Sequence, residues 1–311
     1  IKKCIFNSDQ SIFSTLKFDN DFNFSEPLLF SYYTLTKEHL SLSQILYGYI
    51  EETKRPTELI VKSDRNGCVY LPNYGYLLTE FENSFITLHQ TERNFSLLKQ
   101  DTSIDFNFSP LVFLECGNRI ELSSNIDLLS EKFFFEWGDK ISDSEVEQLI
   151  KNNTSKVDLN HYKPAIEKSF EIIQNFLPKE FKNFISSTRK IILFEHPMLR
   201  NFVNKKAHGT IYLNVNEKSD IPFFLEELIH QCSHTVFNAI TLVTEDFFKV
   251  SPHLLLGDFI EKEDHRTLYS ALHGIYTTGK IVDSLLKLLK CKPRLDPDIK
   301  YEIIGRLALN K

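Results

Sequence analysis

The sequence predicts an α+β fold, with a mixed N-terminal part that contains β-hairpins and a mostly helical C-terminal part. In the first half, short runs rich in β-branched and aromatic residues are separated by turn residues. In the second half, long segments have helical spacing, and a short sheet precedes the most distinctive of them. With 311 residues, 42% hydrophobic and 25% charged, the chain has the composition of a globular protein with a sizeable core.

The first half reads as one helical stretch followed by several strands. Residues 35–52 have helical spacing, and the strand-like runs at 57–64 and 68–81 flank Asn66-Gly67. Because both positions of this dipeptide tolerate positive φ, the pattern predicts a β-hairpin there. Further short strands are predicted at 85–92, 110–117 and 119–124.

A polar helix after Trp137 leads into a linker, which places a boundary near residue 150. Residues 1–150 then form a mixed α/β region, either a substrate-binding surface or a plain scaffold. Residues 151–311 form a second domain.

The second domain begins with helices at 163–177 and 178–187, followed by strands at 190–196 and 209–215. Ser219 or Asp220 is expected to cap the next helix, with Pro222 in its first turn. A long helix is predicted from about 264 to 289, and a last one at 297–309.

Charge and cysteine usage exclude several classes of protein. A net charge of −6 argues against nucleic acid as a partner. Five scattered cysteines without a C-x-x-C pair indicate a reducing compartment. Neither a signal peptide nor a run of ~18 apolar residues is seen, so we expect no membrane partner and a cytoplasmic location.

The segment EELIHQCSHTVF carries the strongest chemical signal. His230 and His234 are four residues apart, so both imidazoles project from one helix face, the spacing by which H-E-x-x-H helices bind a metal. Ile229 and Val236 beside them indicate a buried helix, where unpaired imidazoles would be costly. The pair predicts a divalent metal site, against the alternative of two surface histidines spaced by chance.

Gln231 stands where a zinc peptidase has glutamate. That glutamate is the general base that deprotonates the metal-bound water, and an amide cannot accept the proton. Glu226 could reach the same face, but one turn away from where the base belongs. Peptide hydrolysis is therefore disfavoured.

The segment EDHRTLYSALHGIYTTGKIV forms a second polar stripe. Helical spacing aligns Arg266, Tyr269, His273, Tyr276 and Lys280. His273 would complete the metal set, and the Arg266 guanidinium suits a carboxylate of an anionic co-substrate. Lys280 is expected to be solvated. The glycine at position 274, costly in a helix interior, suggests that another group approaches the backbone closely there.

Together these two segments resemble the H-E-x-x-H-motif proteins that modify peptides in natural-product gene clusters. The resemblance covers about residues 190–285. It implies an iron(II)- and 2-oxoglutarate-dependent oxygenase that uses O₂ to hydroxylate a side chain, notably at the β-carbon, of a ribosomally made precursor peptide.

In this resemblance His230, His234 and His273 match the catalytic metal ligands, and Arg266, with Tyr269 beside it, matches the residues that bind 2-oxoglutarate. The sequence departs from the family at Gln231 and at Thr267, where the family often has proline.

Several alternatives remain open. The third ligand could instead be a carboxylate or another histidine: Glu245, Glu261, Glu263, Asp264 or His265. The protein could be a zinc-dependent hydrolase with an unusual base, or a non-catalytic peptide-binding module on a peptidase-like scaffold. Lys205 and Lys206 form either a carboxylate-contacting pair or a solvated turn. The oligomeric state is not predicted.

Overall fold

The computed structural model confirms the α+β class. It describes residues 1–17, 19–35, 40–90, 95–116, 120–136, 141–260, 263–290 and 296–309. The chain forms two compact units. The first contains Ile1–Phe113, Glu121–Asp158 and Ile192–Leu199, and the second contains Leu114–Ile120, Leu159–Ile191 and Arg200–Lys311.

The helices of the first unit are short, apart from the last one. They are α1 (Lys2–Ser8), α2 (Gln10–Thr15), α3 (Pro27–Thr34), α4 (Leu42–Leu46), α5 (Glu131–Phe135) and α6 (Asp143–Lys156). Ser142 and Glu145 form a capping box at the start of α6, which satisfies its first N–H groups. Residue 150 lies inside this helix. The helical stretch predicted at 35–52 is broken into α4 and short 3-10 turns, and its residues 36–39 lie outside the described part.

Among its described residues the first unit has nine strands. They are β1 (Glu58–Lys62), β2 (Cys68–Leu71), β3 (Gly75–Leu78), β4 (Phe85–Gln90), β5 (Phe95–Lys99), β6 (Thr102–Ile104), β7 (Asn107–Pro110), β8 (Val112–Phe113) and β9 (Glu121–Ser123). One antiparallel sheet has the order β1-β4-β5-β6 and another the order β2-β3-β7, while β8 pairs with β9. Strands β5, β6 and β7 were not predicted.

The hairpin predicted at Asn66-Gly67 is wrong. Gly67 does adopt a positive φ of 73°, but β1 pairs with β4 in one sheet, and β2 pairs with β3 in another. The Asp64 carboxylate accepts the N–H groups of Asn66 and Cys68, at 2.8 and 2.9 Å. The Asp64 carboxylate therefore occupies the Cys68 N–H, which a β1–β2 ladder would have used as a donor. The two strands diverge after the turn.

Two hydrophobic clusters of described residues contribute to the core of the first unit. One packs the N-terminal helices around residues such as Ile5, Leu29 and Ile45, and the other fills the space beside the sheets with residues such as Val69 and Leu77. All five side chains are fully buried. Each contributes about 1.5–3 kcal/mol by leaving water.

The described residues of the second unit form mainly helices, five in number. They are α7 (Leu159–Phe176), α8 (Pro178–Ser187), α9 (Ile221–Ile240), α10 (Leu268–Lys290) and α11 (Pro297–Leu309). Strands β11 (Phe202–Val203) and β12 (Thr210–Asn214) pair antiparallel, and β10 (Lys190–Phe194) runs from the second unit into the first.

Helix α9 is the central helix of the second unit, in contact with α7, α8, α10 and α11. Its N-cap is Asp220, whose carboxylate accepts the N–H of Phe223 at 3.1 Å, and Pro222 lies in the first turn. Leu225, Leu228 and Cys232 are fully buried. Helix α9 is therefore buried on most of its sides, and polar side chains on one face contact α10.

Two predicted helix starts differ from the structure. Helix α7 begins at Leu159, before the predicted residue 163. Helix α10 begins at Leu268 rather than near 264, because Thr267 forms a β-bridge with Leu255. Cys291 and the residues expected to end α10 lie outside the described part. None of the described helices has the length and apolar character needed to cross a membrane.

Candidate metal centre

Helix α9 brings His230 and His234 together as predicted. Their rings are 4.7 Å apart between centroids, and their Nε2 atoms are separated by 3.0 Å. Neighbouring Ile229 is fully buried and Val236 is 9% exposed, so the helix is buried as its sequence indicates. Both histidines are half-buried.

His273 of α10 joins the pair. Its Nε2 lies 2.6 Å from Nδ1 of His234, and its ring stacks on Phe237 with centroids 4.6 Å apart and planes 10° apart. Three imidazoles, two from α9 and one from α10, therefore form a continuous cluster, which we call the histidine cluster (His230, His234 and His273).

Burial keeps the histidine cluster uncharged. It lowers the pKa of His234 to about 3, with further lowering by His273 and His230. The pKa of His273 falls to about 4, first through burial and then through the charges of His230 and Lys205. Burial also lowers the pKa of His230, although Glu227 and Glu226 oppose it. Neutral imidazoles keep the lone pairs that metal binding requires.

The geometry already suits two nitrogen ligands of a single metal ion. Two nitrogens bound to one metal at ~2.1 Å lie ~3.0–3.4 Å apart, and the two Nε2 atoms of His230 and His234 meet this spacing. His273 instead faces the other ring nitrogen of His234. One ring has to turn before three nitrogens point to one ion. Accordingly, no group of three His, Cys, Asp or Glu among the described residues has a ready metal-binding arrangement.

Gln231 is held beside His230. It is 2% exposed; its Nε2 donates to Glu227 Oε2 at 3.0 Å and lies 3.4 Å from His230 Nδ1. Among the described residues its Oε1 is buried without a hydrogen-bond partner. An orphan acceptor of this kind costs about 1–3 kcal/mol, so this atom fits a site that holds a ligand with a hydrogen to donate.

The two glutamates one turn earlier have different partners. Glu227 Oε2 is 4.0 Å from Nδ1 of His230, the nitrogen that faces away from His234. This separation is too long for a hydrogen bond, so Glu227 does not fix the His230 ring directly. Glu226 binds the Arg306 guanidinium of α11 at 2.6 Å. Neither carboxylate replaces the missing base at position 231.

Tyr269 is anchored between the two helices. Its hydroxyl lies 3.2 Å from Asn238 Oδ1, to which it donates, and 3.2 Å from Thr241 Oγ1. Its ring centroid is 5.8 Å from that of His273. Sequence reasoning missed Asn238, although its position four residues after His234 places it on the same helix face.

The structure places Arg266 differently from the predicted stripe. It precedes α10, its side chain is 59% exposed, and its guanidinium binds Asp264 through Nε at 3.0 Å and Nη2 at 2.5 Å. The same contact lowers the pKa of Asp264 to about 2. No contact among the described residues joins this guanidinium to the histidine cluster.

Three of the five alternative third ligands have described side chains. Asp264 binds Arg266, and Glu263 pairs with His265 at 3.2 Å. Glu261 and the side chain of Glu245 lie outside the described residues. Lys280 lies over the ring of Tyr276 at 5.7 Å and is half-buried.

Among the described residues no group approaches Gly274 closely, since a Cβ added there would meet none of their atoms within 4 Å. The Gly274→Ala variant should therefore be more stable by about 0.5–1 kcal/mol, because alanine lowers the entropy of the unfolded chain and favours helix. Denaturant unfolding measures the change. Gly48→Ala is the matched control and should be destabilised, since its Cβ would lie 2.2 Å from the Pro72 carbonyl oxygen. A destabilised Gly274→Ala protein would show that this helix face is covered.

Comparisons with known proteins add no family to this picture. No protein-family model matches the chain, and no curated protein matches it in sequence.

Proposed function

We propose that the protein is an iron(II)- and 2-oxoglutarate-dependent oxygenase that hydroxylates a side chain of a ribosomally made precursor peptide, at its β-carbon. The observation that carries this proposal is the cluster of three neutral imidazoles, linked at 2.6 and 3.0 Å, where α9 meets α10. Imidazole is a suitable ligand for iron, and three of them leave positions for a chelating co-substrate and O₂.

The neighbouring residues favour oxygenation over hydrolysis. A hydrolase needs a base beside the metal-bound water, and the amide of Gln231 cannot accept a proton from that water. The carboxylate of Glu227 lies 4.0 Å from Nδ1 of His230, the nitrogen that faces away from His234. An oxygenase requires no hydrolytic base, so glutamine at position 231 is compatible with it.

Each residue has a distinct role in the proposed enzyme. His230, His234 and His273 hold the metal. Tyr269, fixed by Asn238, borders the co-substrate. When bound, iron(II) with 2-oxoglutarate and O₂ supplies the oxidising power to hydroxylate a C–H bond. By the resemblance Arg266 binds 2-oxoglutarate, and it would then exchange Asp264 for the co-substrate carboxylate.

A peptide substrate is supported by exposed apolar side chains at the end of α9 and after it. The last residue of α9 and the segment that follows it expose apolar side chains, from 39% for Leu255 to 64% for Leu242. Exposed apolar groups of this density are typical of sites that bind other chains. They are Ile240, Leu242, Val243, Phe247, Val250, Leu254, Leu255, Phe259 and Ile260.

The test is an assay with iron(II), ascorbate, 2-oxoglutarate and a pool of synthetic peptides. We expect succinate, together with a peptide heavier by one oxygen atom, detected by mass spectrometry. The His230→Ala protein is the control and should yield neither. Succinate formation that persists in this variant would contradict the assignment of the ligand.

An anaerobic arm separates the proposal from zinc-dependent hydrolysis. Without O₂ the oxygenase yields no product, whereas a hydrolase still cleaves its peptide. Peptide cleavage in the zinc-loaded protein under nitrogen would overturn the proposal. If elemental analysis finds no bound metal, and none binds when it is added to the purified protein, the peptide-binding module is favoured.

A further inference from the structure

Helix α10 has an apolar face that is largely open to solvent. Among its side chains Ile275 is 71% exposed, Leu286 43% and Leu272 37%. The remaining members of this face are half-buried, apart from an exposed glycine, Gly279. We call this face the apolar stripe; it consists of Leu268, Leu272, Ile275, Gly279, Val282, Leu286 and Leu289. A continuous exposed face of this kind is typical of a surface that binds another protein.

The spacing of the apolar stripe is that of a coiled-coil seam. Its members follow one another at alternating steps of four and three residues, which are the a and d positions of a heptad repeat. From its first member to its last, the stripe is roughly 30 Å long. The buried residues of α10, such as Thr277, Ile281 and Leu285, lie on other faces of the helix. The stripe is therefore suited to a second helix with the same spacing, whose side chains fit between its own.

The apolar stripe reads nearly the same in both chain directions around Gly279. Three bulky aliphatic side chains precede this glycine and three follow it, in mirrored order of size. If two copies of α10 cross antiparallel at Gly279, each residue faces one of similar size. The facing pairs are Leu268 with Leu289, Leu272 with Leu286, Ile275 with Val282, and Gly279 with Gly279. A two-fold dimer requires this self-complementarity, whereas an unrelated partner imposes no such symmetry on the sequence.

Gly279 lies at the centre of the stripe, where two crossing helices come closest. The described residues leave room for a side chain there, since an added Cβ would meet none of their atoms within 4 Å. Glycine is nevertheless among the poorest helix formers. At the crossing point of two helices the missing side chain allows their backbones to approach closely. A second helix therefore explains the glycine at this position, and packing among the described residues does not.

The charges at the two ends of α10 favour the antiparallel orientation. Its last turn carries Lys287 and Lys290, and Lys287 already pairs with Asp283. Two carboxylates, those of Glu263 and Asp264, precede the first turn, with one guanidinium beside them. Antiparallel pairing brings the basic end of one helix to the acidic end of the other, which is favourable. Parallel pairing would instead place the two Lys290 ammonium groups side by side.

We propose that the chain forms a two-fold symmetric dimer in which α10 pairs antiparallel with α10 of a second copy and crosses it at Gly279. The apolar stripe is the centre of this interface, and its facing side chains exclude water from it. The inference depends on neither the histidine cluster nor the proposed oxygenase activity. It is tested by the oligomeric state of the full chain.

The experiment measures the mass of the full chain by analytical ultracentrifugation at micromolar concentration. We expect the unmodified protein to sediment with about twice the chain mass of 36.4 kDa. The Gly279→Arg variant should fold, because position 279 is exposed in the single chain and arginine favours helix. In the dimer this change places two guanidinium groups at the two-fold axis. We expect the dissociation constant of the dimer to rise more than ~100-fold.

Gly305→Arg is the matched control. Gly305 of α11 is also exposed, and none of the described atoms lies within 4 Å of a Cβ added there. Because this glycine lies outside the apolar stripe, the variant should remain dimeric. An unmodified protein with the mass of a single chain would overturn the inference and leave the stripe to a different protein.

A mixture of Gly279→Arg with Gly279→Glu tests the symmetry of the interface. Each variant alone should sediment as a single chain, because like charges meet at the axis. The mixture should regain the dimer mass, since position 279 of one copy faces position 279 of the other and the two charges attract. Single chains in the mixture, or a dimer that persists in Gly279→Arg alone, would contradict the proposed crossing point.

Cysteine variants determine the orientation of the two helices. Leu272→Cys and Leu286→Cys are each made in a chain that also carries Cys4→Ser and Cys291→Ser. In the antiparallel dimer positions 272 and 286 face each other, so the two variants should form a disulfide when mixed and oxidised, and far less when oxidised separately. If each variant instead forms a disulfide with its own copy, the helices are parallel and the inference is overturned.

Discussion

Replacing His234 with alanine should abolish transition-metal binding and all metal-dependent activity. His234 lies between the other two imidazoles, at 3.0 Å from His230 and 2.6 Å from His273, so its loss separates them. We expect the affinity for cobalt(II) or zinc to fall by more than ~100-fold, because outer partners of metal ligands alone account for 10- to 100-fold. Calorimetry and the visible spectrum of the cobalt(II) protein measure the loss.

The control for His234→Ala is His265→Ala, a histidine of the same unit whose side chain is 81% exposed and pairs with Glu263. This variant should bind metal like the unmodified protein. His234→Gln, which keeps a polar side chain, guards against a trivial folding defect and should also lose the metal while retaining its circular dichroism spectrum. Unchanged affinity in a folded His234→Ala protein would remove this residue from the site.

The second large effect is expected for Gln231→Glu, which restores the H-E-x-x-H motif. The new carboxylate would be 98% buried, given the 2% exposure of Gln231, and would face Glu227 where the amide now donates at 3.0 Å. Two carboxylates at this distance repel, and burial disfavours the charge further. We expect the metal-free variant to be less stable by about 3 kcal/mol at pH 7, measured by denaturant unfolding.

This loss of stability should depend on pH in a defined direction. Burial and the charge of Glu227 raise the pKa of the new carboxyl in the folded protein above its unfolded value of about 4.3. Between the two values the folded state retains a proton that the unfolded state has released, so stability falls as pH rises. The deficit should be small at pH 4 and largest above neutrality. Gln231→Met, uncharged and similar in size, should show no such trend; a pH-independent deficit in Gln231→Glu would contradict this account.

Local sequence signals determined the parts of the site that lie within one helix. The spacing of His230 and His234, the Asp220 cap and the buried positions around them are set by helical geometry and by short-range hydrogen bonds. For the same reason the last helix, Pro297–Leu309, and the helix Pro178–Ser187 have their predicted bounds. Proline at each start and apolar periodicity suffice to define them.

Pairing between distant segments was decided only by the tertiary structure. The turn at Gly67 was predicted, but the partner of β1 is β4, because the choice depends on which strands bury a common face. Similarly, helical spacing could align Arg266 with His273, but it could not show that α10 begins at Leu268 or that Asp264 already binds the guanidinium.

The histidine pair and the missing base at position 231 were therefore evident from sequence alone, since both lie within one turn of a helix. That His273 meets His234 and that Lys205 reaches the ring of Tyr269 depend on residues 39 and 64 positions apart in the chain. The burial that holds the pKa of these imidazoles far below 6.5 likewise comes from the packing of separate elements. Contacts at such separations follow from the packing of whole elements, which side-chain periodicity within one element does not encode.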